Sequence, residues 1–157
     1  MSGTKIEALI NHLLTTFPDG GAIADVPVQV IDGPGVADIR NVVLFIGYSI
    51  FSANQHSGAS AQKWAMVGKI PPGRDEDLDL SCSLRVGIGD ANMAVCRAKA
   101  IAVFHGIADA LRASVGAFSA NGELRQLQVA RMRLFQELTN NGASVTVEFS
   151  VTATARI

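Results

Sequence analysis

The sequence predicts an α+β fold: a single antiparallel or mixed β-sheet of about six strands, two helices packed on one face, and a long β-hairpin. Three observations carry this expectation. Apolar residues recur at helical spacing in two segments, while period-two alternation fills most of the remainder. The element order reads helix, four strands, helix, two strands, with hairpin-length connections, which disfavours a doubly wound sheet. The last segment, GASVTVEFSVTATARI, alternates apolar Val145, Val147, Phe149, Val151, Ala153, Ala155 and Ile157 with polar Thr146, Glu148, Ser150, Thr152, Thr154 and Arg156. At ~3.3 Å per residue the part from Val145 onward would run about 40 Å, so something equally long is expected beside it.

Taken in order, the first element is a helix starting at Thr4, which has capping-box spacing to Glu7. Ile6, Leu9, Ile10, Leu13, Leu14 and Phe17 share one face, and Pro18 ends the helix. The stretch Val26 to Asp32 alternates, and Pro27 confines it to a sheet edge or a strand start. A turn follows at DGPG. Asn41 to Phe51 is apolar on both faces, the pattern of a covered central strand. Ser52 to Ala61 is small, polar and of low complexity, and reads as a mobile loop.

QKWAMVGKI and EDLDLSCSLRVGIG flank PPGRD and form the long hairpin, with Leu78, Leu80, Cys82, Leu84, Val86 and Ile88 on its apolar side. From Asp90 to Ala113 the period is helical, with Asp90 or Asn92 as the cap. A Gly/Ser/Asn connection leads to a strand over Leu127 to Gln136, whose alternation slips between Val129 and Met132 and so predicts a bulge. LTNNGA turns into the last strand.

Length and charge bound the function. A chain of 157 residues fits one domain, residues 1–157, that buries a full core without metal or disulfide staples. Thirteen Lys and Arg against fourteen Asp and Glu, with no basic run, argue against specific nucleic-acid binding. Cys82 and Cys96 lack the paired spacing of a zinc or redox motif and read as buried free thiols in a reducing compartment. Lys5 and the small residues Ala22 to Ala24 imitate a signal peptide, but Glu7, Asn11 and His12 interrupt the apolar stretch. No run reaches membrane-spanning length, so no membrane partner is expected and the chain should stay in the cytoplasm where it is made.

No residue is assigned to catalysis, a cofactor or a metal. GIGDAN, between a strand and a helix, lacks the third glycine of a phosphate-binding loop and reads as turn chemistry. The run Asp75, Glu76, Asp77, Asp79 could draw a divalent cation, but Asp77 and Asp79 are also the outward positions of an alternating strand. His12, on the polar side of the first helix, His56 and His105 show no ligand spacing and no nucleophile beside them. Trp64 reads as core or as a partner anchor. The candidates that remain form an interface set: Ser52, Asn54, Gln55 and His56 in the loop, Asp77 and Asp79 on the hairpin, and Ser150, Thr152 and Thr154 on the last strand. The hydroxyl face of that strand is either solvated or meets a neighbour at low desolvation cost.

Together the short first helix, VQVIDGPG, VVLFIGYS, a Ser/Gly-rich loop before a Trp-bearing strand, an Ala-rich helix and NNGASVTVEFSVTATARI resemble the tail terminator proteins of long-tailed, siphovirus-type bacteriophages, the actinobacterial phage and prophage type in particular. The resemblance spans nearly the whole chain and rests on turns and strands rather than catalytic signatures. It implies a non-enzymatic virion protein at the head-proximal end of the tail, assembled in the host cytoplasm. Its partners would be copies of itself in a ring, typically a hexamer, the tail tube protein and the head-tail connector. Other head-tail joining or tail completion proteins share such small α+β folds. The competing class is a small ligand-binding or enzymatic domain using the concavity between sheet and helices.

Overall fold

The last strand runs between two strands as long as itself. The computed structural model describes residues 6–33, 42–48, 62–66, 74–120, 124–140 and 142–156. In chain order the elements are α1 (Ile6–Thr16), β1 (Ala22–Ile23), β2 (Val26–Pro27), β3 (Gln29–Asp32), β4 (Val42–Ile46), β5 (Gln62–Met66), β6 (Arg74–Gly87), α2 (Met93–Ala120), β7 (Leu124–Thr139) and β8 (Gly142–Arg156). The main sheet has six strands in the order β3-β4-β6-β8-β7, and β5 continues the β4 side of β6. Only β3 and β4 pair in parallel, so the sheet is mixed, as expected.

Alternation decides which side of this sheet is dry. Val145, Val147, Phe149, Val151 and Ala153 of β8 are buried beside Leu78, Leu80, Cys82, Leu84 and Val86 of β6 and Val42, Leu44 and Ile46 of β4. Both helices cover this one face: Leu9 and Leu13 of α1, Phe17 just after it, and Cys96, Ala100, Val103, Ile107 and Leu111 of α2 belong to the same core. Phe104 meets Phe149 edge to face, with ring centroids 5.4 Å apart. Each large side chain fully buried here contributes about 1.5–3 kcal/mol by leaving water. All five residues of β4 are buried, as its two-sided apolar pattern predicts.

Several boundaries differ from the sequence reading: the strand read over Asn41 to Phe51 ends at Ile46, where Gly47 turns at φ 76°, and Arg74 and Asp75, read as turn, pair with Met66 and Ala65 in the hairpin ladder. Val26 to Asp32 is two strands, because the backbone of Val28 bonds to the Gly20–Gly21 turn instead of the ladder; Pro27 therefore lies in the small β1–β2 ribbon. Helix α2 continues past Ala113 to Ala120, since the Ser114 hydroxyl donates to the Leu111 carbonyl within the helix instead of breaking it. Strand β7 reaches beyond Leu127 and Gln136 at both ends, with register shifts between Arg125 and Gln128 and between Ala130 and Arg133. The second shift is the expected bulge, and Arg131 takes up its turn at φ 54°. Thr4 and Ser52 to Ala61 lie outside the described residues.

The β7–β8 turn locks onto the start of α2. Ala143 N–H donates to the Asp90 carbonyl, Ile88 N–H to the Ala143 carbonyl, and the Cys96 thiol to the carbonyls of Val86 and Ala143. Gly142, at φ 115°, passes so close that a Cβ would lie 2.6 Å from the Asp90 nitrogen. Gly142→Ala should therefore cost about 2 kcal/mol or more in a denaturant titration. The β1–β2 turn offers the opposite test, because Ala24 sits at φ 51° where glycine is the unstrained choice. Ala24→Gly should raise stability by about 0.5–1 kcal/mol in the same titration.

Candidate functional site

The sheet face turned away from the helices collects the polar positions of three long strands. Across β6 and β8 the register sets Asp77 beside Thr154, Asp79 beside Thr152, Ser81 beside Ser150, Ser83 beside Glu148 and Arg85 beside Thr146. Strand β7 extends the rows with Gln128 next to Thr152, Ala130 next to Ser150 and Arg133 next to Glu148. The fold thus brings Asp77, Asp79, Ser150, Thr152 and Thr154 into one patch. Ser52, Asn54, Gln55 and His56 lie outside the described residues.

This face is not uniformly solvated. Ser150 is 7% exposed and Thr146 8%, whereas Thr152 and Thr154 are half-buried. At the β4 side Val43 and Phe45 are buried, with the Tyr48 ring 5.8 Å from that of Phe45. Ser83 donates its hydroxyl to the Tyr48 carbonyl at 3.1 Å. At the β7 side the face turns basic. Arg131 reaches back from the bulge to Asp79 at 2.9 Å, and Arg133 lies over the Phe135 ring at 5.4 Å. The second carboxylate oxygen of Asp79 and one of Glu148 are buried without a hydrogen-bond partner. Among the described residues no three His, Cys, Asp or Glu side chains are placed to hold a metal ion.

The remaining candidates serve the fold. GIGDAN is a capped joint: the Asn92 side chain accepts from Val95 N–H, and that of Asp90 from Asn92 N–H. With these donors engaged and a carboxylate alongside, the helix start is a poor anion seat. His12 does not project from a polar face. It is half-buried against α2, with Nε2 2.9 Å from the Ser114 hydroxyl. Burial lowers the pKa of His12. His105 is exposed beside the Phe104 ring. Cys82 and Cys96 are buried free thiols, as expected, and burial pushes Cys82 up to about 12.

Two hollows flank α2. One, of about 480 Å³, lies between α2 and the bulged strand and is lined by Phe104, Leu111, Arg112, Leu127, Val129 and Met132 among others; among the described residues no acid, thiol or histidine lines it. The other, of about 380 Å³, lies beneath the β1–β2 ribbon against Phe17, Pro18, Ala22, Ile23, Gly106 and Ala110. The first lies in the concavity between sheet and helix that the ligand-binding alternative would use; the linings of both join segments far apart in the chain. Among the described residues no helix is long and apolar enough to cross a membrane.

No protein-family pattern matches the chain, and no curated protein matches it. Among solved structures, a chain of the virion of the native gene transfer agent (GTA) particle is similar over 99% of this chain and 100% of its own length. The TM-score is 0.56 and the identity 17%. What the two share is the whole fold.

Two outcomes follow from the buried groups. Ser150→Asp would place a carboxylate where water does not reach and should cost about 1–3 kcal/mol, whereas Ser150→Ala should stay within about 1 kcal/mol; equal losses in a denaturant titration would contradict the burial. Below pH 9 the Cys82 thiol is neutral in both folded and unfolded chains. Above it the unfolded thiol ionises first, so stability should fall as pH rises from 9 towards 12, and less so in Cys82→Ala. Thermal melts across that window measure the difference.

Proposed function

We propose that this chain is a non-enzymatic structural protein of a phage-like virion, and specifically a tail terminator built of one domain. In this reading it closes into a ring, most simply a hexamer, on the head-proximal end of the tail tube. The ring ends tube polymerisation and offers the head connector its docking surface. The observation that carries the proposal is the full-length fold match to a chain of a gene transfer agent virion. The helix-free face supports it. Its accessible Asp77, Arg85, Thr152 and Thr154 meet a protein partner at little desolvation cost, because each can exchange water for a partner's hydrogen bond. The hollow between α2 and β7 is lined, among the described residues, by apolar side chains, Gln128 and two arginines.

The test is a tube-length assay. Tail tube protein polymerised with this chain should give shorter tubes of narrower length distribution, with the chain detected by gold labelling at one end only. Tubes that elongate unchanged and carry no label would contradict the terminator reading. Binding to the connector without any effect on tubes would identify a different head-tail joining role.

A further inference from the structure

Subunits that assemble need surfaces that fit, and the charge of this chain is divided along its length. Residues 6–33 carry Glu7, Asp19, Asp25 and Asp32 and no Lys or Arg. Residues 124–140 carry Arg125, Arg131 and Arg133 against Glu137 alone. The fold puts these segments on opposite flanks: β3 forms one edge of the sheet and β7 the other. Each flank has a shape as well as a charge. On the basic flank the bulge lifts Met132, 44% exposed, between exposed Arg131 and Arg133. On the acidic flank the apolar hollow under the β1–β2 ribbon lies between exposed Asp19 and Asp25, which precede and follow its lining residues Gly21 to Ala24. Helix α2 separates the two, with Gly106 and Ala110 lining the acidic side and Phe104 and Ala108 facing the basic one.

Neither edge is fit to pair by a backbone ladder. The Val30 N–H on β3 is taken by the Asp19 carboxylate at 2.9 Å, and β7 is interrupted by two register shifts. A contact between these edges must be made by side chains. We infer that a second copy of this chain is the occupant: the Arg131–Met132–Arg133 knob of one copy seats in the Asp19- and Asp25-rimmed hollow of the next. The contact is heterologous, since knob and hollow are different surfaces, and repetition of it closes a ring or runs on as a filament. Methionine suits the role, being flexible enough to fill a hollow of irregular shape. Arg133 meets Asp25 at the rim, Arg131 being held by Asp79 of its own sheet and Asp19 by the Val30 N–H, and such a rim pair sets register and choice of partner more than affinity. The inference rests on the proposed self-assembly and adds which surfaces make it.

The buried state of Cys82 and Cys96 gives a clean background for a thiol test. Met132→Cys and Ala22→Cys, made singly and together in the full chain, are treated with a short bismaleimide at a concentration where the wild type is assembled. The double variant should give a ladder of covalent oligomers on a denaturing gel, and each single variant should remain monomeric. Light scattering of the untreated variants, set against the wild type, confirms that assembly is retained. A covalent dimer from Met132→Cys alone would show a two-fold contact and overturn the inference. An assembled double variant that gives no ladder would overturn it too while leaving the ring in place. A wild type that stays monomeric at every concentration, with and without tube protein, would overturn ring and contact alike. Charge supplies a second readout: Arg133→Glu should weaken assembly at least tenfold without lowering the melting temperature of the monomer, and no change would again count as refutation.

Discussion

Everything else in the molecule is arranged around a long amphipathic strand held in the middle of a sheet. Strand β8 pairs along nearly its full length with β6 on one side and β7 on the other. Its fifteen residues span about 50 Å. An inner strand of that length leaves no backbone group unpaired only if both neighbours are as long, and β6 and β7, with fourteen and sixteen residues, are. Its apolar side needs cover of matching extent. The 28 residues of α2 rise about 42 Å and supply most of it, with α1 completing the layer over β4. The polar side is left without a helix, and that is where the molecule presents hydroxyls and charges to its surroundings.

Much of this was legible because periodicity survives in single strands and helices. The apolar sides of β6 and β8, the two-sided burial of β4, the bulge near Val129 to Met132 and the core faces of both helices follow from spacing alone. What spacing could not show depends on partners distant in sequence. Val28 leaves the sheet for Gly20 and Gly21 because those backbones are free to bond it. His12 turns inward, where Ser114, 102 residues away, shares a hydrogen bond with its ring. Ser150 looks solvated in a string of letters, yet between Ser81 of β6 and Ala130 of β7 it is buried. Of the candidate patch, the positions on β6 and β8 were readable as outward residues. That they face each other in register was not, since register is a property of the pair.

The same geometry separates two kinds of surface. The helix-free face is broad, set by regular strands, and suited to a partner that lies flat against it. The flanks are narrow and irregular, blunted against ladder pairing by Asp19 at β3 and by the shifts in β7. In the proposed ring these surfaces have different duties: flanks join copies, and the face is left open for the tube or the connector. The lock between Gly142 and the Gly89–Asp90 turn bears on both, because it fixes the β7–β8 arm relative to α2 and so sets the angle between knob and hollow.

The account stands or falls on self-assembly, and native mass spectrometry of the chain, alone and mixed with tail tube protein, addresses that most directly. A closed oligomer of discrete stoichiometry, six copies in the simplest case, is the predicted result in at least one of the two conditions. A spectrum holding only the 16.5 kDa monomer in both would contradict it.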